Sequence, residues 1–276
     1  MLDRPKDLPD FHAPPLNEVV LGVQFNPPIA YHQIRAGEVW NLFKADYPQV
    51  QEMPPLPPTF ETFGRESGTG SIQLVPAPLH SRFWFLRTEG DELIQFQQDR
   101  LLHNWRKVPG RDEPYPRFES IARRFRREIE ALQGYLTRLA PQALVINQIE
   151  ISYINQFTLG TTKASEWLQF LSFGSSDTED FSVVFREIIH GENSKPQGRS
   201  VCEVLAAISP DGERAVQMTL TARGAPRRSD IESALDFITI GRFDCESIYH
   251  IDHGFCARTM GAIQMTITQS HAAFSR

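Results

Sequence analysis

The run Arg100 to Lys107, RLLHNWRK, interleaves cationic, aromatic and hydrogen-bonding side chains. That mixture makes Arg100, His103, Asn104, Trp105, Arg106 and Lys107 a candidate binding element. Arginine and lysine beside a ring is the composition of a stacking and phosphate-contact platform for single-stranded nucleic acid. It is also the composition of a protein-binding hot spot, where tryptophan and arginine dominate. A third reading is architectural: Asn104 satisfies turn backbone groups, Trp105 covers prolines, and the basic stems snorkel at a strand end. The formal net charge of −6 and the lack of a glycine-aromatic RNA-binding signature make nucleic acid the less favoured partner.

Carboxylates and histidines offer a second kind of chemistry. Asp91, Glu92, Glu150 and Glu187 fall on or near strand-like runs, and two that converged would raise at least one pKa for acid–base work. The simpler reading makes them the solvent-facing members of half-buried strands. In CESIYHIDHGFC, His250, His253 and Cys256 recur at steps of three. Successive steps along a straight helix spread ligands too far along the axis to meet one tetrahedral ion, so no metal is expected. Glu150 and His253 remain candidates for a cleft between the two halves of the chain. Cys202 lies in an alternating strand with no GxSxG elbow nearby, which reads as packing. RESGTGS (65–71) runs into the strand-like IQLV, so it is a loop tip and not a phosphate cradle. No catalytic residue and no cofactor are assigned, and the pattern favours a binding protein over an enzyme.

Two sets of elements must position these residues, and the second repeats the plan of the first. EVVLGVQF (18–25) leads to the amphipathic AGEVWNLF (36–43), and QIEISYIN (148–155) leads to ASEWLQFL (164–171), with Trp40 and Trp167 at matching places. In each half strand-like runs follow and then a helix-like one: 83–87, 93–97 and 117–139, then 201–208, 215–222 and 230–240. The expected fold is α+β: two fused pseudo-symmetric halves, each a strand, a short helix, antiparallel strands and a longer helix, with helices on one side of the sheet. An extended arm over 1–15, a first half over 16–142 and a second over 143–276 pack as one globular unit.

Local signals sharpen this plan. RFWFLR and ELIQFQQDR form a hairpin across Thr88 to Asp91, with Gly90 supplying a positive φ. Phe118, Ile121, Phe125, Ile129, Leu132 and Leu136 recur at spacings of three and four, an apolar helical stripe with Arg123, Arg124, Arg126, Arg127, Glu128 and Glu130 on the solvated circumference. YPQVQEMPPLPP (47–58) reads as a rigid connector crossing a surface. Ser229 with Glu232 predicts a capping box, and the helix after it bends at Gly241 and continues toward Met260. Three cysteines without CxxC spacing fit a reducing compartment. With no apolar run near the roughly 18 residues of a membrane span, a soluble cytoplasmic protein is expected.

PPLNEVVLGVQFNPP (14–28), AGEVWNLFKADYPQVQEMPPLPPTFE (36–61), IQFQQDRLLHNWRK (94–107) and VINQIEISYIN (145–155) together resemble a sporadically distributed family of uncharacterised bacterial proteins of similar length, with HGFCARTM (253–260) a weaker echo. The resemblance carries no catalytic residues. Its patchy distribution implies an accessory or immunity role in a defence or toxin system. The expected function is therefore a non-enzymatic interaction protein with a protein partner or self-association. The alternative is a small-molecule or nucleotide/nucleic-acid-binding protein, with or without catalysis, with a pocket between the halves.

Overall fold

The computed structural model describes residues 15–64, 80–111, 114–140, 144–161, 180–209 and 211–247. The expected short helix at 164–171, the glycine-rich tip at 65–71, nearly all of the 1–15 arm, and His250, His253 and Cys256 lie outside the described residues.

The centre of the molecule is β1 (Leu16–Phe25), whose Val19, Leu21, Val23 and Phe25 are buried at every second position. Such alternation places four apolar side chains on one face of a pleated strand. Asn26-Pro27-Pro28 ends it, since a proline nitrogen cannot donate to a ladder. The chain then forms α1 (Ala36–Phe43), β2 (Gln49–Met53), β3 (Arg82–Leu86), β4 (Glu92–Gln97), β5 (Arg100–Arg106), α2 (Phe118–Leu139), β6 (Ile146–Thr158), β7 (Ser182–His190), β8 (Pro196–Ile208), β9 (Arg214–Gly224) and α3 (Ile231–Ser247). The nine strands form one antiparallel sheet in the order β2-β3-β4-β5-β1-β6-β9-β8-β7. The fold is mixed α+β and dominated by strands. β1 and β6 are direct neighbours at its middle, with Leu21 opposite Ile151 and Val23 opposite Ile149.

The three α-helices among the described residues lie on one face of the sheet. The predicted stripe of α2 is buried along its whole length, and α2 packs on β5 and touches α1 and α3. α3 packs on β6 and β9. Phe237 of α3 rests where Gly198 of β8 stands opposite Gly224 of β9; a Cβ at Gly224 would come within 2.6 Å of the Phe237 ring and 2.5 Å of the Gln197 carbonyl. The two glycines are small because a ring occupies their space. Arg242 of α3 bonds Glu119 of α2 at 2.8 Å and lies 4.4 Å over the Phe118 ring.

The helix termini depart from expectation at α3. Asp230, not Ser229, caps it by accepting the Ser233 N–H at 2.8 Å, and Glu232 turns away to pair with Arg126 of α2. The capping box therefore does not form. Gly241 has a packing role: a Cβ there would stand 2.7 Å from that of Ala222 and 2.9 Å from Ile151.

The opposite face is crossed by a strap. QVQEM between Pro48 and Pro54 becomes edge strand β2, so the proline-rich connector is shorter than the sequence suggested and starts at Pro54. Its prolines have no N–H to satisfy, and its free donors find partners on the sheet. Leu56 exchanges hydrogen bonds with the Gln97 amide at 2.9 and 3.0 Å, and Thr59 N–H donates to Gln24 at 3.0 Å. Farther on, Glu61 accepts from Arg199 of β8 at 2.6 Å and lies 3.7 Å from Arg223 of β9. The strap thus runs from the β2 edge across both halves.

Candidate functional site

Strand alternation separates the predicted binding run. Arg100, Asn104 and Arg106 are on the strap face, His103 and Trp105 are on the helix face, and Lys107 is exposed just past the strand. The six do not form one surface. Trp105 is buried against Tyr115, ring centroids 5.0 Å apart, so it is not an exposed anchor and covers none of the connector prolines. Arg100 takes that docking role instead, donating to the Pro57 carbonyl at 3.0 Å while gripping Asp99 at 3.0 Å. Asn104 bonds side chains, not turn backbone: it donates to Glu18 at 2.6 Å and accepts from Gln95 at 2.9 Å. Arg106 donates to the Gly90 carbonyl at 2.7 Å.

Glu150 lies on the strap face, held by Arg223 at 2.8 Å in a crevice of about 30 Å³ shared with Gln24, Arg100 and Gln148. β1 and β6 are hydrogen-bonded neighbours, so no cleft separates the halves at the middle of the sheet. Glu187 is on β7, with β9 and β8 between it and the strand of Glu150, so those two carboxylates do not converge. The Cys202 thiol is pushed up to about 12, by burial first and then by the charge of Glu187, which leaves it a packing group. Among the described residues no group of three or more His, Cys, Asp or Glu is placed to hold a metal ion. No described helix is long and apolar enough to cross a membrane.

The chemically distinctive region lies on the helix face, where His103 is fully buried between two carboxylates. Glu128 of α2 approaches Nδ1 at 2.9 Å, and Glu92 of β4 has Oε2 at 3.9 Å from Nε2. Glu128 also accepts the Tyr47 hydroxyl at 2.8 Å. Tyr47 is fixed in the turn after α1, where its carbonyl accepts the Trp40 indole N–H at 3.0 Å. Burial, and next the charge of Glu128, raise the Tyr47 phenol well above its usual range, so it stays a donor.

Glu92 uses only one of its oxygens. Oε1 bonds Arg124 of α2 and lies 3.6 Å from Arg87 of the β3–β4 hairpin. Oε2 is buried with no partner, and so is His103 Nε2. Two facing buried polar atoms without hydrogen bonds are uncommon in folded proteins. Beside them opens a cleft of about 630 Å³ lined by Leu42, Phe43, Tyr47 and Pro48 on one wall and by Arg87, Glu92, Arg124 and Arg127 on the other. That volume falls within the range of small-molecule sites. Arg127, one helical turn beyond Arg124, has no hydrogen bond or ion pair among the described residues.

Sequence reasoning assigned Arg124, Arg127 and Glu128 to a solvated face and Tyr47 to the connector. One signal was present for Glu128: it stands seven residues after Ile121 and so falls on the apolar stripe itself, where a carboxylate needs a partner. Nothing local pairs α2 with Tyr47 or Glu92, because those contacts are made only when the sheet forms.

No protein-family model matches the chain, and no curated protein or solved structure matches it.

Proposed function

We propose that this chain is a binding protein that holds a small polar molecule in the cleft between α2, the turn after α1 and the β3–β4 hairpin. One observation carries the reading: a cleft of about 630 Å³ opens beside a buried carboxylate oxygen that has no partner. An apolar wall with a few convergent polar groups is the usual makeup of such a site. The pocket belongs to elements of the first half alone, unlike the between-halves pocket expected from sequence. The test is to purify the protein under native conditions, extract it and identify retained small molecules by mass spectrometry, beside an Ala131→Trp variant that fills the cleft. A stoichiometric molecule lost in the variant is the expected result. A molecule held equally by both proteins overturns the site.

Self-association or a protein partner is the second reading. Ile29 and Ile34, on the turn before α1, are 85% and 91% exposed and give it an apolar contact. Sedimentation of the wild type and an Ile34→Glu variant tests it: an oligomer dissociated by the substitution supports it, and a monomer throughout rules out self-association. Duplication of the halves is also proposed. It is supported by the strand order, in which β5, β4 and β3 follow β1 on one side as β9, β8 and β7 follow β6 on the other.

A further inference from the structure

Two of the three cleft arginines, Arg87 and Arg124, are already occupied, and the occupant belongs to the protein. Glu92 Oε1 bonds Arg124 and lies 3.6 Å from Arg87, which is where an incoming oxyanion would bind. Its other oxygen faces His103 Nε2 across 3.9 Å, with both atoms buried and unpartnered. A side-chain rotation of about 1 Å would close that gap to an ordinary hydrogen bond of roughly 2.9 Å.

From this arrangement, and resting on the cleft as the binding site, we infer that the ligand carries an oxyanion, phosphate or carboxylate, and that Glu92 is its built-in competitor. The ligand's oxygens take Arg124 and Arg127, two guanidinium groups one helical turn apart on α2, with Arg87 closing from the hairpin. Glu92 gives up the arginines and moves to His103. With Glu128 taking the Nδ1 proton, that contact takes up one proton from solvent, carried between Glu92 Oε2 and His103 Nε2. Glu128 holds the ring in place by its bond to Nδ1 and is itself held by Tyr47. The same carboxylate thus has two sets of partners, and the ligand decides between them by the difference in its affinity for the two arrangements.

The prediction runs against a purely structural role for Glu92. A Glu92 that only holds the fold together would leave anion binding unchanged or weaker when replaced, whereas Glu92→Gln here removes the carboxylate that competes for the arginines and tightens the site. Orthophosphate and succinate, separately titrated into the protein and followed by calorimetry and by amide chemical shifts, serve as the two oxyanion probes. At least one is expected to bind saturably, with shifts at residues 87–92 and 124–128. Glu92→Gln should strengthen that binding about tenfold, and Arg127→Glu, on the exposed rim, should abolish it without lowering Tm. The probe that responds identifies the anion class. Should Glu92→Gln fail to fold, Glu92→Asp, whose shorter side chain reaches Arg124 less well, takes its place and must also tighten binding. Unchanged or weaker binding in a folded Glu92→Gln variant, or binding unchanged in Arg127→Glu, overturns the inference. A neutral or cationic molecule found in the cleft with neither anion bound overturns it too, while leaving the cleft as the binding site.

Discussion

Arg100 and His103 are three residues apart on one strand and face opposite sides of the sheet, and both belong to buried charged clusters. On the strap side, Asp99, Arg100, Gln97 and Gln24 leave no buried side-chain polar atom without a partner, and the unpartnered Gln148 oxygen beside them faces a crevice of only about 30 Å³. On the helix side, His103 and Glu92 each leave one. A satisfied cluster fixes a structure, because any rearrangement strands a group at a cost. A cluster short of partners beside a cleft has an interaction still to make. The two faces of one strand therefore separate architecture from binding.

The strongest way to break this contrast is Arg100→Met. The substitution leaves Asp99 buried without its guanidinium and releases the strap at Pro57, and it should cost about 3–5 kcal/mol in urea unfolding. Anion binding at the cleft should be unchanged while the variant stays folded. Glu128→Gln acts on the other face, where it weakens the acceptor shared by His103 and Tyr47; a loss of about 1–3 kcal/mol is expected. Here binding should weaken as well, and equal loss of binding from both substitutions would collapse the distinction.

Smaller effects sharpen it. Glu61→Gln loosens the far end of the strap from Arg199 and Arg223, two partly exposed arginines, and about 1 kcal/mol is expected. Hydrogen exchange should rise at Leu56 and Thr59 and stay unchanged in α2. Asp230→Asn should have the least effect. Its folded pKa is lowered, first by the bond from Arg228 and then by the Ser233 N–H, so the stabilisation is present above the ordinary aspartate pKa of about 3.9 and is lost as pH falls through the lower folded value. The Tm difference from wild type should hold steady between about pH 5 and 7, shrink as pH falls below about 4 and vanish only below the lowered folded value.

The sequence made the elements legible where one segment carries its own reason. The α2 stripe, the hairpin around Gly90 and the alternation of β1 are local patterns, and each is in the structure as expected. The binding run RLLHNWRK misled because eight contiguous letters look like one surface, whereas a central strand sends alternate side chains through opposite faces. Whether the strand was central depended on β1 pairing with β5, a contact between segments about 80 residues apart. Tyr47, Glu92, His103 and Glu128 meet for the same reason, each from a different element. Proline content announced the strap, but its destination on β8 depended on Arg199 and Arg223, which look like any other strand arginines in the sequence.

The strap also orders events in time. Glu61 and its partner Arg199 are 138 residues apart, so a ribosome must deliver most of the second half before the far end of the strap has anything to hold. Until β6 arrives β1 has a free hydrogen-bonding edge, and until β8 and β9 arrive Glu61 at the far end of the strap stays wet. Long-range pairings of this kind slow folding and prolong the exposure of unpaired strand edges. A nascent chain arrested after α2 should therefore engage chaperones, and protection of residues 61–64 should appear only with synthesis of β8 and β9.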